Sequence, residues 1–322
     1  RLQFSYSENN GKVLPGYLPT VNVLGTLNPS IGFTFGSQAD VRYEAAKRGW
    51  LTDFPNFNQP FTQVHSSQFN LTGQLDFGKG LIIDLSAERD FSKNIAENFN
   101  VVNQEYLPLN TNEFGNFGIS TVLIKTAFSR SQNALNPHFS TFRSNRLIIA
   151  QRIAAQQGVD PTNVDSDGFP RGYNKNHQDV IIPAFLAAYS GKNANNISLD
   201  PIQKTPLPNW NLKYTGLMNL KSLKKIFNRF SLTHAYRANY TINQYQNNLD
   251  YTPQRPNAVD EAGNFIAPRL YANINLVEQF NPLLRVDLEL KNSLKFLVEM
   301  KTDRALSLSL DNNLLTESRG EE

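Results

Sequence analysis

The stretch that decides the fold is QFNLTGQLDFGKGLIIDLSAERDF, residues 68–91. In its first ten residues every second side chain is apolar or Gly, and the others are Gln, Asn, Thr or Asp. The alternation resumes at Leu81, with Arg89 as the single exception on the apolar side. A period of two is typical of a β-strand with one apolar and one polar face. Because Gly78-Lys79-Gly80 separates the two halves, the sequence predicts a β-hairpin with a three-residue loop.

The same alternation returns in the second half of the chain, in the runs 209–215, 230–243, 284–291, 294–301 and 306–311. Gly115–Phe128 and Ala272–Glu278 are two further candidates, although the first lacks a clean alternation. We therefore expect about nine strands, each with one apolar face and one polar, partly charged face. Short helices are predicted at Ala39–Gly49 and Thr141–Gln157, each ending at or just before a Gly, with a helical turn at Leu220–Ile226.

These patterns divide the chain into four parts. We expect a leading segment with a short helix at 1–65, first barrel strands at 66–128, a long inter-strand insertion with a helix at 129–206, and further barrel strands at 207–322.

Composition excludes several classes of protein. The 322 residues include 31 Lys plus Arg and 28 Asp plus Glu, and a net charge of +3 is too small to indicate a nucleic-acid surface. The chain contains no Cys, which excludes disulfides, thiol nucleophiles and Cys-based metal sites within it. Asn is abundant, at 39 residues, as expected for a chain rich in β-structure and turns. No run of 18 apolar residues is present, so no transmembrane helix is predicted.

Two architectures fit strands with one apolar face: a soluble sandwich and a membrane barrel. The 78-residue segment Ser129–Pro206 favours the barrel, because compact domains rarely contain such long connections whereas outer-membrane barrels pair tight turns with long loops. Arg285, Asp287, Glu289 and Lys291 share one strand face. Since a Lys or Arg that faces lipid costs about 2–4 kcal/mol at the midplane, this face must be hydrated. We therefore expect an all-β fold, an antiparallel segment of a transmembrane β-barrel with long loops and a few short helices.

Four segments carry a resemblance to a known family: FTFGSQADVRYEAAKRGWLT (33–52), DVIIPAFLAAYSGK (179–192), LPNWNLKYTGL (207–217) and FSLTHAYRANYTI (230–242). In them the chain resembles the C-terminal part of the SprA/Sov family, the outer-membrane translocon of the type IX secretion system, which is also needed for gliding motility. The resemblance extends over most of the chain, from about Gly32 to Leu315.

The resemblance implies that the transmembrane antiparallel segment belongs to a very large barrel. This barrel would be a non-enzymatic pore in the outer membrane of a Gram-negative bacterium, which secretes folded cargo proteins that carry a C-terminal signal. It implies as partners a PorV-like outer-membrane barrel at a lateral opening, a periplasmic plug protein, a peptidyl-prolyl isomerase, the cargo proteins and the lipid bilayer, and no nucleic acid. The family has no catalytic motif, so the resemblance implies no catalytic residue, no cofactor and no bound metal.

The sequence motifs agree with the absence of a catalytic site. Asn163–Gly168 has oxygen ligands at alternate positions before a Gly, like the start of a calcium loop, but Asn174 stands where a bidentate Glu is required. An Asx-rich turn is the alternative interpretation of this segment. The four His residues lack metal-ligand spacing. Asp84, Glu88 and Asp90 share one strand face, which indicates a lumen lining and not an acid/base pair.

Two further sets of residues each allow two interpretations. Trp210, Tyr236 and Tyr240 could form an interfacial aromatic girdle or pack against a partner barrel. The basic cluster of Lys221, Lys224, Lys225 and Arg229 either caps a turn beside lipid headgroups or is a solvated turn.

If all nine predicted strands cross the membrane, successive connections lie on alternate sides of it. This count places Gly78–Gly80, Ser129–Pro206, Gln244–Tyr271 and Lys291–Ser293 together on an extracellular side. It places Ser92–Glu113, Leu217–Asn228, Phe280–Pro282 and Asp303–Arg304 on the other.

Two other functions compete with the translocon. A TonB-dependent uptake barrel belongs to the same transporter class. A secreted carbohydrate-binding or adhesive β-sandwich belongs to a different one, and would present Trp210 and the Tyr residues to a ligand.

Overall fold

A computed structural model describes residues 1–20, 29–129, 136–160 and 162–322. The strands are β1 Leu2–Val13, β2 Phe61–Asp76, β3 Leu81–Val102, β4 Glu105–Ser120, β5 Asn209–Tyr214, β6 Phe227–Asn247, β7 Arg269–Tyr271, β8 Asn273–Leu290, β9 Lys295–Ser309 and β10 Leu314–Glu321. The helices are α1 Ile31–Thr34, α2 Arg42–Lys47, α3 Ile124–Ala127, α4 Pro137–Gln156, α5 Gln178–Ser190 and α6 Lys221–Lys224, with a 3-10 turn at Gly216–Asn219 before α6.

All ten strands of the described residues belong to one antiparallel sheet, which confirms the predicted all-β class. The order is β1-β2-β3-β4-β6-β8-β9-β10, while β5 pairs with both β3 and β6, and the short β7 pairs with β6. Neighbours in the sheet are mostly neighbours in the chain, so the sheet is built from successive hairpins. Within the described residues, β1 and β10 form its two edges.

The predicted first hairpin is present, with Phe69 opposite Arg89 and Leu75 opposite Ile83. Gly78, Lys79 and Gly80 in its turn have φ angles of 68°, 51° and 86°. Two of these three left-handed positions are occupied by Gly, the residue for which this conformation carries no steric cost. The alternation and the turn residues therefore specify the same register.

The strands are longer than predicted. β3 has 22 residues and β6 has 21, about 70 Å each at 3.3 Å per residue, more than twice the thickness of a bilayer core. The predicted connection Ser92–Glu113 is instead the end of β3 and most of β4, joined by a tight turn at Asn103-Gln104. Lys93 and Glu97 interrupt the apolar alternation of Ile95, Phe99 and Val101, which concealed the end of β3.

The predicted connections Phe280–Pro282 and Asp303–Arg304 are also inside strands, β8 and β9. A register shift between Phe280 and Leu284 breaks the alternation of β8 at Pro282, which made one strand resemble two. Since these connections are not turns, the predicted assignment of loops to two sides is wrong. The end with 77–80 and 291–293 also holds 215–226, and the opposite end holds 14–20, 29–60, 103–104, 248–268 and 310–313.

One strand position in the sheet is occupied by two segments of the chain. On β3, Arg89 lies opposite Ile119 of β4, and Leu85 lies opposite Trp210 of β5. β4 and β5 run in the same direction, end to end, between β3 and β6. Thr121 still donates its backbone N–H to the carbonyl of Ala238, at 2.9 Å, before the chain leaves the sheet. Residues 122–208 therefore make an excursion from the middle of one strand position; we call them the helical insertion.

The predicted helices α2, α4 and α6 are present, and α4 begins at Pro137 with Asn136 as its N-cap. Helix α5 was not predicted. It is buried from Val180 to Ser190 and contains Pro183, so it has neither the amphipathic period nor the uninterrupted sequence that indicates a helix. Gly115–Phe128 combines the end of β4 with helix α3, which explains why it lacked a clean alternation.

Apolar side chains form two clusters on one face of the sheet. The larger one joins α4 and α5 of the helical insertion to β4, β6, β8 and β9. The smaller one joins the segment 14–61, including α2, to the hairpin of β3 and β4. Both clusters cover the end of the sheet that lies away from the turn 77–80.

Candidate functional surface: a sheet with one polar and one divided apolar face

The polar face of the sheet is concave. A cavity of about 1000 Å³ lies on it and extends across the sheet from β1 to β8. Much of its lining comes from side chains that alternate with the apolar ones: Gln3, Thr72, Gln74, Asp84, Ser86, Asn209, Asn211, Arg237 and Gln279. Most of these groups are neutral amides and hydroxyls, so the surface offers many hydrogen-bonding groups.

The carboxylates Asp84, Glu88 and Asp90 lie on this polar face, as the alternation predicted. Asp84 accepts a hydrogen bond from the Gln74 side chain at 2.9 Å, and Glu88 and Asp90 are exposed. Charges of both signs occur nearby, as in the 3.6 Å pair between Arg285 and Glu299. The polar face therefore has no strong field of a single sign.

The opposite face is apolar and divides into two halves. In the half near the turn 77–80, no cluster of described residues covers it. Many of its side chains are widely exposed: Val298 is 64% exposed and Met300 56%. We call this surface the bare half. Its side chains are Leu2, Phe4, Phe69, Leu71, Leu75, Leu81, Ile83, Leu85, Leu212, Tyr214, Phe230, Leu232, Leu284, Val286, Leu288, Phe296, Val298 and Met300.

Two properties set the bare half apart. First, the described residues place no Asp, Glu, Lys or Arg side chain among these apolar positions; the one histidine there is His234, whose Nδ1 lies 2.7 Å from the carbonyl of Leu283. Second, its extent along a strand approaches that of a bilayer crossing: the apolar run of β3 covers seven residues, from Leu81 to Ala87, where Arg89 ends it. A tilted strand of about 9–11 residues spans a membrane.

The other half of the apolar face, the covered half, is buried beneath the helical insertion. Tyr236 and Tyr240 are at most 2% exposed there, and Ile242 is fully buried. The Tyr240 hydroxyl donates to the carbonyl of Pro201 at 2.9 Å, and Trp210 stacks on Tyr236 with ring centroids 4.5 Å apart. Tyr236 and Tyr240 therefore belong to an internal core. Both predicted roles for these two residues, an interfacial girdle and packing against a partner barrel, are wrong.

Buried charges attach the helical insertion to the covered half. Arg304 of β9 and Glu278 of β8 form a 2.8 Å ion pair with side chains 4% and 2% exposed. The Arg304 guanidinium also donates to the carbonyl and the hydroxyl of Thr126 in α3, both at 2.9 Å. Tyr236 donates to Glu278 at 2.7 Å and accepts from the backbone N–H of Leu123. We call these five residues the Arg304 latch; breaking a buried pair by removing one partner is strongly destabilising.

A second buried pair attaches the segment 14–61. Arg42 of α2 contacts Glu97 of β3 at 2.5 Å, and the hydroxyls of Tyr106 and Thr111 donate to the same carboxylate. Hydrogen bonds from Arg42 also lower the pKa of Asp40 below its usual value. Each cover on the apolar face is thus held by an Arg–Glu pair.

The segment Asn163–Gly168 forms an Asx turn, the interpretation that the sequence favoured over a calcium loop. Asp165 accepts from the backbone N–H groups of Asp167 and Phe169, at 2.9 and 2.8 Å, and Asp167 pairs with Lys175 at 2.7 Å. No group of three or more potential metal ligands occurs within the described ranges. His177 is the N-cap of α5.

Comparison with protein-family models gives no match for the chain, and comparison with curated proteins gives none either.

No helix in the part of the chain that the structure describes is long and apolar enough to cross a membrane.

Proposed function

We propose that this chain is part of the wall of a protein-conducting outer-membrane β-barrel of the SprA/Sov type. The observation that carries the proposal is the bare half: an apolar surface free of Asp, Glu, Lys and Arg, on the reverse of a concave polar face. Lipid on one side and water on the other is the environment that such a wall requires.

A soluble sandwich is less well supported by the same surface. In a sandwich the apolar face of one sheet packs against a second sheet about 10 Å away. Here the covered half is packed against helices, and the bare half is uncovered. Exposed apolar surfaces of this extent mark binding or membrane sites. Within a bilayer, the edges β1 and β10 must pair with further strands, because unsatisfied backbone groups in lipid cost several kcal/mol each.

In this proposal the polar concave face lines the conduit. Neutral amides and hydroxyls with charges of mixed sign hold a passing protein weakly, since they offer neither an apolar patch nor a strong field. The role is non-enzymatic, and cargo proteins with a C-terminal signal pass through the pore. The PorV-like barrel, the plug protein and the peptidyl-prolyl isomerase are the partners that the family resemblance implies.

The first test is fractionation of the native cells. An antibody to Leu284–Asp311 is used on carbonate-washed outer membranes. We expect a membrane-bound band far heavier than 36.4 kDa. A soluble band near 36.4 kDa would overturn the proposal in favour of the secreted sandwich.

A second test separates the two faces on one strand. The chain has no Cys, so Glu299→Cys and Val298→Cys each add one thiol to it, on the polar and the apolar face of β9. We expect a membrane-impermeant maleimide to label position 299 rapidly and position 298 at least tenfold more slowly. Equal labelling of both positions would mean that the bare half faces water. Accumulation of cargo in the periplasm after depletion of the protein tests secretion itself and separates the translocon from a TonB-dependent uptake barrel.

A further inference from the structure

Three turns lie at the end of the sheet where the bare half ends. They are 77–80, 215–226 and 291–293, and together they contain five Lys and no Asp or Glu. We call them the lysine turns. Their basic residues are Lys79, Lys221, Lys224, Lys225 and Lys291.

The lysine turns differ in charge from the connections at the other end of the sheet and from the helical insertion. The segments 14–60, 103–104, 121–208, 248–268 and 310–313 together contain 13 Lys plus Arg and 12 Asp plus Glu. The charge of those segments is therefore balanced, whereas the lysine turns are purely basic. The folded chain has a cationic end.

The five lysines are available to a partner. All five side chains are exposed, and within the described residues none has a carboxylate within 4 Å. The nearby Arg229, in contrast, pairs with Asp287 at 2.9 Å. The positive charge of the lysine turns is thus not neutralised inside the molecule.

Apolar side chains stand among these lysines. Leu220 and Ile226, which flank Lys221–Lys225, are 53% and 52% exposed, and Phe77 in the first turn is also exposed. Exposed apolar groups beside lysines are the composition of segments that lie in a membrane interface, where apolar groups enter the acyl boundary and ammonium groups meet phosphates. In this chain the exposed apolar side chains of the lysine turns adjoin the apolar side chains of the bare half.

We infer that the lysine turns bind the headgroups of anionic phospholipids in the leaflet at this end of the sheet. This leaves the helical insertion on the opposite side of the membrane. The inference rests on the membrane placement in the proposed function and adds to it an orientation and a lipid preference. Each basic residue beside an anionic surface contributes roughly a fivefold preference, so several together select anionic over zwitterionic lipid.

The test uses the intact protein, purified from outer membranes and reconstituted in nanodiscs of phosphatidylcholine and phosphatidylglycerol. Ser222→Cys places a fluorophore beside the lysines, on an exposed residue. The doxyl quencher is attached either to phosphatidylglycerol or to phosphatidylcholine. We expect the anionic lipid to quench at least twice as strongly at low salt, and the two to quench equally at 0.5 M salt, where charges are screened within a few ångströms.

Matched variants locate the effect. The triple variant Lys221→Gln, Lys224→Gln, Lys225→Gln is expected to abolish the preference for the anionic lipid. The control Lys47→Gln, Lys192→Gln, Lys204→Gln removes the same charge from exposed residues away from the lysine turns and is expected to retain it. A preference that survives the first triple variant, or equal quenching by both lipids at low salt, would overturn the inference.

A fluorophore at a second position distinguishes a failure of this inference from a failure of the proposed function. With the fluorophore on Val298→Cys in the bare half, both lipids are expected to quench. If position 298 is quenched and position 222 is not, the membrane wall stands and the lipid contact of the lysine turns is wrong. If neither position is quenched, the membrane placement itself is wrong.

Discussion

The covered half and the bare half lie on the same face of the same strands, and their side chains follow the same alternation. They differ in whether charged side chains occupy the apolar positions. The covered half contains Glu278 and Arg304, each supplied with a partner by the helical insertion or a neighbouring strand. In the bare half, the described residues contribute only apolar and aromatic groups, Gly73 and His234 at the apolar positions. A strand face packed on protein can hold a paired charge, whereas a strand face in lipid cannot hold one without a large cost.

The largest expected effect comes from the latch on the covered half. Glu278→Ala leaves the Arg304 guanidinium buried without its carboxylate, and breaking such a pair costs about 3–5 kcal/mol. We expect the helical insertion to detach, with fast hydrogen exchange throughout α5. In contrast, Glu299→Ala breaks a partly exposed pair on the polar face and is expected to cost at most about 1 kcal/mol. Protected α5 amides in Glu278→Ala would show that the latch does not hold the insertion.

The next effect tests the bare half. Val298→Arg places a cation on the apolar face of β9. If the site is near the bilayer midplane, we expect the stability of the membrane-inserted protein to fall by about 2–4 kcal/mol. We expect reduced assembly into the outer membrane, measured by heat-modifiable migration in gels. Leu297→Arg is the matched control, because Leu297 is 57% exposed, close to Val298, but lies on the polar face. Equal assembly of the two variants would contradict a lipid contact.

A smaller effect depends on pH and concerns the docking of α4. Burial, and then the charge of Arg304, lower the pKa of His138. The free imidazole titrates near 6.5, so His138 lowers stability only when it must become charged in the folded state. Its contribution is fully present above about pH 6.5 and is lost as the pH falls towards the lowered folded pKa. We expect faster hydrogen exchange in α4 at pH 5.5 than at 7.5, and a weaker difference in His138→Gln. An equal difference in both proteins would assign the pH dependence to other groups.

The smallest effect is expected on the polar face. Asp84→Asn and Glu88→Gln each remove one charge from a wall of mixed polar groups, without disturbing a buried pair. We expect secretion of cargo to change little, as measured by the amount of cargo in the culture medium. A complete block by either substitution, with normal barrel assembly, would mean that the wall binds cargo specifically.

Part of this arrangement could be predicted from the sequence. The first hairpin was found because its alternation and its Gly turn agree with each other. β1 was not predicted, since its alternation weakens at the Asn9-Asn10-Gly11 run. The sharing of one strand position by β4 and β5 depends on pairing with distant residues, which local patterns do not record.

The division of the apolar face was missed for a different reason. Alternation indicates that a strand has an apolar side but not whether lipid or helices cover it. A signal was present: Arg304 stands at an apolar position between Met300 and Leu306. Its charge, next to that of Asp303, makes the dipeptide resemble a turn. A charge in phase with apolar neighbours is better understood as a buried, partnered group.

The shared strand position has a consequence for how such a wall could change during evolution. Thr121 lies opposite Ala238, Asn209 falls opposite Arg237, and their side chains belong to alternate faces. Joining Thr121 directly to Asn209 would therefore give one uninterrupted strand in the correct register. A gene that gained or lost the intervening 87 codons would alter neither the number of strands nor their stagger, the two quantities that fix the diameter of a barrel. In the barrel that we propose, the helical insertion could therefore be exchanged at this point without a change in the diameter of the barrel.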